Sequence, residues 1–146
     1  METEVPPLRG KRIAILGLTF KPNTDDIRDA PALDIARGLL RRGAKLSAYD
    51  PAGMDHVRRL PLGRRMTFAA DAYEAVDGAD CAVLVTEWNE LRTLDLKKLV
   101  RRMRRPVLCD LRNVYDAAEA AAAGMKYVGV GQGVLPAKKP ARKRAR

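Results

Sequence analysis

Long apolar runs are missing from this chain: none approaches the roughly 20 residues that a bilayer-spanning helix needs. The opening M-E-T-E-V-P-P also lacks the basic-then-apolar pattern of a secretory signal, so the expectation is a soluble, cytoplasmic protein. Histidine occurs once, at His56, and cysteine twice, at Cys81 and Cys109, which is too little for a recognisable metal pattern. Both cysteines fall in strand-like segments and read as small buried hydrophobes rather than as a disulfide. Glycines in G-x-G-x-x-G register are absent, which removes the usual cradle for a dinucleotide pyrophosphate. Neither cysteine stands in a sequence context that would lower a thiol pKa and make it a nucleophile.

The 146 residues, 47% of them hydrophobic, suffice for one domain with a real core. The net charge of +10 is unevenly spread. Lys138, Lys139, Arg142, Lys143, Arg144 and Arg146 supply six of those ten charges, leaving four for residues 1–137. K-K-P-A-R-K-R-A-R has no apolar residue larger than alanine, so residues 134–146 are expected to form a basic, disordered tail. Such a tail either keeps the protein in solution or attracts a polyanion, and no aromatic residue is interleaved there to read bases.

Residues 1–10, with Pro6 and Pro7, read as an irregular leader, and residues 11–133 as the folded domain. Within it, strand patterns at 12–18, 45–49, 66–68, 81–85, 107–111 and 127–130 alternate with helical patterns at 31–42, 52–60, 73–76, 94–103 and 117–123. That alternation predicts a doubly wound, mostly parallel α/β sheet, Rossmann-like but without the glycine fingerprint. Gly43 after Arg41 and Arg42 suits a helix end, where glycine takes the left-handed turn and cations meet the negative end of the dipole.

In an open α/β sheet, ligands bind outside the carboxyl ends of the strands. The loop G-L-T-F-K-P-N-T-D-D-I-R follows the apolar strand Ile13–Leu16 and offers an aromatic ring, an ammonium, two carboxylates and a guanidinium. This wording, with A-Y-D-P at 48–51, T-E-W-N-E at 86–90 and D-L-R-N-V-Y-D at 110–116, resembles the C-terminal, UDP-binding domain of the UDP-glucose 6-dehydrogenases, within the UDP-glucose/GDP-mannose dehydrogenase family. The resemblance runs from about Gly10 to about Gly133. It implies an NAD-dependent oxidation of UDP-glucose to UDP-glucuronate through a cysteine thiohemiacetal, in the service of polysaccharide biosynthesis. It further implies that NAD is bound mainly by an N-terminal domain, which together with the catalytic cysteine segment does not occur in these 146 residues.

Phe20 and Lys21 stand where a planar base or sugar could rest on the ring and the ammonium could meet a phosphate; the alternative is a phenylalanine plugging the core edge beside a solvated lysine. Arg112 leaves a second strand at the same edge, and convergence with Lys21 would suit the two phosphates of a nucleotide sugar. A surface arginine paired with Asp110 or Asp116 is the alternative. Arg28 either pairs with Asp25 or Asp26 to shape the loop or turns its planar fork to a pyrophosphate. The resemblance implies that Phe20, Lys21 and Arg112 contact the UDP-sugar and that Arg28 touches NAD, with no catalytic residue and no metal ligand in the chain. Asp50 reads as a turn initiator before Pro51, Trp88 as a packing residue and His56 as an exposed, unpartnered side chain. Expected partners are a UDP-sugar, a separately encoded dehydrogenase half, a second copy in a homo-oligomer and a polyanion at the tail. The rival to an enzyme part is a stand-alone nucleotide-sugar-binding accessory module or sensor.

Overall fold

The computed structural model describes residues 7–131 and 133–137. Six parallel strands and one antiparallel strand form a single sheet in the order β3-β2-β1-β4-β5-β6-β7. They are β1 (Arg12–Leu16), β2 (Lys45–Tyr49), β3 (Met66–Phe68), β4 (Cys81–Leu84), β5 (Val107–Asp110), β6 (Lys126–Gly129) and β7 (Gly133–Leu135). The helices are α1 (Pro31–Arg41), α2 (Met54–Arg58), α3 (Ala72–Ala75), α4 (Asn89–Arg92), α5 (Leu96–Arg102) and α6 (Ala117–Ala122), with a 3-10 turn at Pro61–Arg65. The sheet is therefore doubly wound and mostly parallel, as the alternation of patterns predicts.

Side-chain alternation along the strands divides the core into two layers. Ile13 and Ile15 of β1, with Leu46, Val83 and Cys109, meet Ala32, Leu33, Ala36 and Leu40 of α1 and Val57 of α2. Ala14 and Leu16 point the other way and, with Leu84, Leu108 and Tyr127, pack on Ala72 and Ala75 of α3, Leu96 and Leu99 of α5 and Ala120 of α6. Because β1 and β4 are buried on both faces, they read as unbroken apolar runs. Helix α1 starts on Pro31 with no side-chain cap, and Asp34 in its first turn and Arg41 in its last match the helix dipole. Asp71, Asp95 and Asp116 cap α3, α5 and α6 by accepting the main-chain N–H three residues on.

Three departures from the sequence pattern matter. The β1 strand ends at Leu16, because Gly17 takes φ of 95° and the Leu18 N–H goes to the Asp50 carboxylate. The one-turn helix α4 has no sequence period to reveal it. Strand β7 pairs antiparallel with β6, so the sheet reaches Leu135, beyond the expected boundary at 133. Of the tail expected at 134–146, Val134 and Leu135 belong to β7, and Lys138–Arg146 lie outside the described residues, as do residues 1–6 of the leader. Among the described residues no helix is long and apolar enough to cross a membrane, and no group of histidine, cysteine or acidic side chains could hold a metal ion.

Candidate functional site

The strand order reverses between β1 and β4, so the crevice at that switch point is the default ligand position for the fold. Here the chain's own side chains fill it. Thr86 Oγ1 donates to the Thr19 carbonyl at 2.7 Å, and the indole N–H of Trp88 donates to Thr19 Oγ1 at 2.9 Å. Trp88 is thus a packing residue whose partner is a hydroxyl. Gly17 lets the two loops close, with φ of 95° and an added Cβ that would lie 2.6 Å from both the Thr86 nitrogen and Cβ. These contacts bond the β1 and β4 loops directly to each other at the switch point.

Asp50, at the end of β2, is buried and fastens two loops at once. Its Oδ2 accepts from the Leu18 and Thr19 N–H groups, at 2.7 and 3.0 Å, and from the Thr19 hydroxyl at 3.1 Å. Its Oδ1 accepts from the N–H groups of Ala52 and Gly53, both at 2.8 Å. The expected turn at Asp-Pro is present, and the carboxylate has no capacity left for a ribose. The longer reach, into the β1 loop, has no local signal in the sequence.

On that anchored loop Phe20 is 47% exposed, so it does not plug the core edge, and Lys21 beside it is exposed. The loop closes by a hydrogen bond from Phe20 N to the Asp26 carbonyl at 2.8 Å. Asp26 meets Arg28 through a two-pronged pair, Nε to Oδ1 at 3.1 Å and Nη2 to Oδ2 at 3.0 Å. Hydrogen bonds from the Arg28 side chain and main chain pull the Asp26 carboxyl down to about 2. The Arg28 side chain is otherwise open, at 87% exposure. His56 Nε2 lies 2.9 Å from Asp25 Oδ2, which corrects the expectation that this histidine has no partner and ties α2 to the loop.

Arg112 leaves β5 two strands from β1, at a spacing of about 10 Å. Its guanidinium pairs with neither Asp110 nor Asp116: Nε donates to the Val85 carbonyl at 2.8 Å and stands 3.1 Å from Glu87 Oε2. Asp110 is buried and holds the loop backbone instead, accepting from Arg112 N at Oδ1 and from Val114 N, Tyr115 N and the Tyr127 hydroxyl at Oδ2. The β4 loop therefore bonds to both neighbours, to Thr19 on one side and Arg112 on the other. Phe20, Lys21 and Arg112 share one edge across it, whereas Arg28 sits farther out on the long β1 loop.

The two cysteines are buried thiols, not joined in a disulfide, with their sulfurs 3.7 Å apart. Their mutual hydrogen bond, and then burial, push the Cys81 thiol well above its ordinary range, so it is no thiolate nucleophile.

A family model described as "UDP-glucose/GDP-mannose dehydrogenase family, UDP binding domain" matches residues 14–117. The chain is 48% identical over 125 residues to the UDP-glucose 6-dehydrogenase of Rhizobium meliloti, covering 86% of this chain and 28% of that protein. It is 43% identical over 128 residues to the UDP-glucose 6-dehydrogenase of Pseudomonas aeruginosa, again 28% of that protein's length. Among solved structures, a UDP-glucose dehydrogenase from Pyrobaculum islandicum superposes with a TM-score of 0.74 at 36% identity, over 88% of this chain and 27% of the other. The chain thus spans less than a third of the length of these relatives.

Proposed function

Because the chain belongs to the UDP-glucose/GDP-mannose dehydrogenase family through its UDP-binding domain, we propose that residues 11–133 bind the nucleotide part of a UDP-sugar at the carboxyl edge of the sheet. The site works as part of an NAD-dependent UDP-glucose 6-dehydrogenase in polysaccharide biosynthesis. Phe20 offers its ring to the base or sugar, and Lys21 and Arg112 neutralise the diphosphate from opposite sides of the β4 loop. The observation that carries this reading is the exposed Phe20-Lys21 pair on a loop whose backbone is nailed to buried Asp50, so that binding orders little that is not already ordered.

NAD, when bound, accepts the hydride, and in this reading it is held mainly by other parts of the dehydrogenase. The filled β1/β4 crevice supports that division, and Arg28 keeps Nη1 free of Asp26 for a cofactor phosphate. The high-pKa, buried Cys81 supports a chain that does not oxidise the sugar by itself. A partner dehydrogenase half, a homo-oligomer, a cytoplasmic location and a polyanion at Lys138–Arg146 belong to the same proposal. Isothermal titration of the 146-residue chain with UDP, UDP-glucose and GDP-mannose tests it. Binding of the first two and not the third is the expected result, and binding of GDP-mannose alone or of none would defeat the assignment.

A further inference from the structure

We propose that Glu87 is the positioning residue for Arg112, holding the guanidinium plane so that its two Nη groups face the ligand's phosphates. This rests on the reading of Arg112 as a ligand group. The backbone around Arg112 is pinned from both sides. Its own N–H goes to Asp110 Oδ1 at 3.1 Å, and Asn113, held at φ of 51°, brackets Val130 with Nδ2 donating to its carbonyl and Oδ1 accepting its N–H, both at 2.9 Å. A pinned backbone does not orient a four-bond side chain, and Arg112 is 38% exposed. Orientation comes from Nε, which is fixed by the Val85 carbonyl at 2.8 Å and faced by Glu87 Oε2 at 3.1 Å.

Glu87 Oε2 has no access to solvent and accepts no well-formed hydrogen bond, so Arg112 is the group that compensates its charge. That gives the pair a reason to stay closed. With Nε spent, the four N–H bonds on the Nη atoms meet no acceptor among the described residues, and a planar fork held on one side suits two oxygens of a phosphate on the other. Glu87 itself comes with the turn that brings Trp88 to Thr19, so the β4 loop that fills the crevice also sets the arginine.

The same contact has a second physical consequence, of opposite sign. A carboxylate 3.1 Å from the arginine lowers the local positive potential. If that were its main effect, removing the charge would strengthen UDP binding. If Glu87 positions Arg112, removal weakens it. Titration of the full 146-residue chain with UDP should show Glu87→Gln weakening binding about fivefold to twentyfold and Glu87→Ala at least as much. In an Arg112→Lys background, which cannot present a fork, Glu87→Gln should change affinity less than twofold. In nitrogen-15 spectra of the free protein, the Arg112 Nε–Hε signal should be sharp and slowly exchanging, and lost or broadened in Glu87→Gln at an unchanged melting temperature. Unchanged or tighter UDP binding by Glu87→Gln, or an equal effect in both backgrounds, overturns the proposal. If the parent chain binds no UDP, the site assignment fails, and the Nε–Hε signal still decides whether Glu87 fixes the guanidinium.

Discussion

Two aspartates at strand ends, Asp50 just after β2 and Asp110 closing β5, do the same chemistry over different distances. Each is buried and saturated by donors, but Asp110 takes main-chain N–H groups from its own loop, two to five residues away, whereas Asp50 also takes those of Leu18 and Thr19, 32 and 31 residues back. The first shapes a loop, and the second joins two. The Phe20-Lys21 loop is therefore held by a tertiary carboxylate while the Arg112 loop is largely held by its own, and the β4 loop between them bonds to both. Damage at Asp50 should spread across strands, and damage at Asp110 should stay near β5 and β6.

The largest effect is expected at Asp50→Ala, which orphans five donors, several of them buried. At roughly 1–3 kcal/mol for each unsatisfied buried group, a loss of about 3–5 kcal/mol in unfolding free energy is expected. Hydrogen exchange should accelerate at Leu18 and Thr19 as well as at Ala52 and Gly53. Protection retained at Leu18 and Thr19 would mean that Asp50 acts only within its own turn. Gly17→Ala comes next, since it puts a methyl group against the Thr86 backbone in a left-handed conformation. A cost of about 2–4 kcal/mol by chemical denaturation is expected, and a cost under about 1 would show that the two loops separate easily.

On the Asp110 side, Tyr127→Phe removes a hydroxyl that donates to Asp110 Oδ2 at 2.8 Å and lies 3.0 Å from the Tyr115 carbonyl. About 1–2 kcal/mol should be lost, without faster exchange at Leu18. Burial, followed by the Asp110 contact, raises the Tyr127 pKa, and burial raises Tyr115 to about 12. Both therefore stabilise the fold fully below about pH 10, the unfolded value, and that contribution is lost as pH rises toward the folded values. An alkaline melt should show the decline beginning near pH 10 and reduced in Tyr127→Phe. The smallest effect lies at the exposed Asp26–Arg28 pair. The Asp26 carboxyl should titrate near 2 by NMR and return toward 3.8 in Arg28→Ala. Its pKa is depressed in the fold, so its contribution is present above about 3.8 and fades only as pH falls toward 2. A midpoint already near 3.8 in the parent chain would dissolve that pair.

The same contrast separates what the sequence could reveal from what it could not. The local turn at Asp50-Pro51 was legible, because the carboxylate takes N–H groups two and three residues on, whereas Asp110 reads only as a partner for the Arg112 side chain and its hold on the loop backbone was missed. Strand β2 and the short β3 were legible as apolar segments bounded by turns. Arg112 could be located at the sheet edge from strand position alone, but its choice of Glu87 over Asp110 depends on β4 and β5 lying side by side. The Thr19 junction was hidden for the same reason. Threonine, tryptophan and aspartate there come from three strand ends, 31 to 69 residues apart, and only the reversal of strand order brings them together. Helix α4 escaped because four residues are too short to show a helical period, and β7 because Gly133–Leu135 straddles the boundary expected between domain and tail.

The outermost strand β3 has a bearing on how such molecules behave together. It is three residues long and is preceded directly by Arg64 and Arg65, both exposed. An unpaired strand edge is a template for recruiting foreign chains, and one this short offers few hydrogen-bonding groups while its flanking guanidinium groups repel another copy. The sheet thus ends, on this side, in an edge poorly suited to seeding β-aggregates when the protein is concentrated.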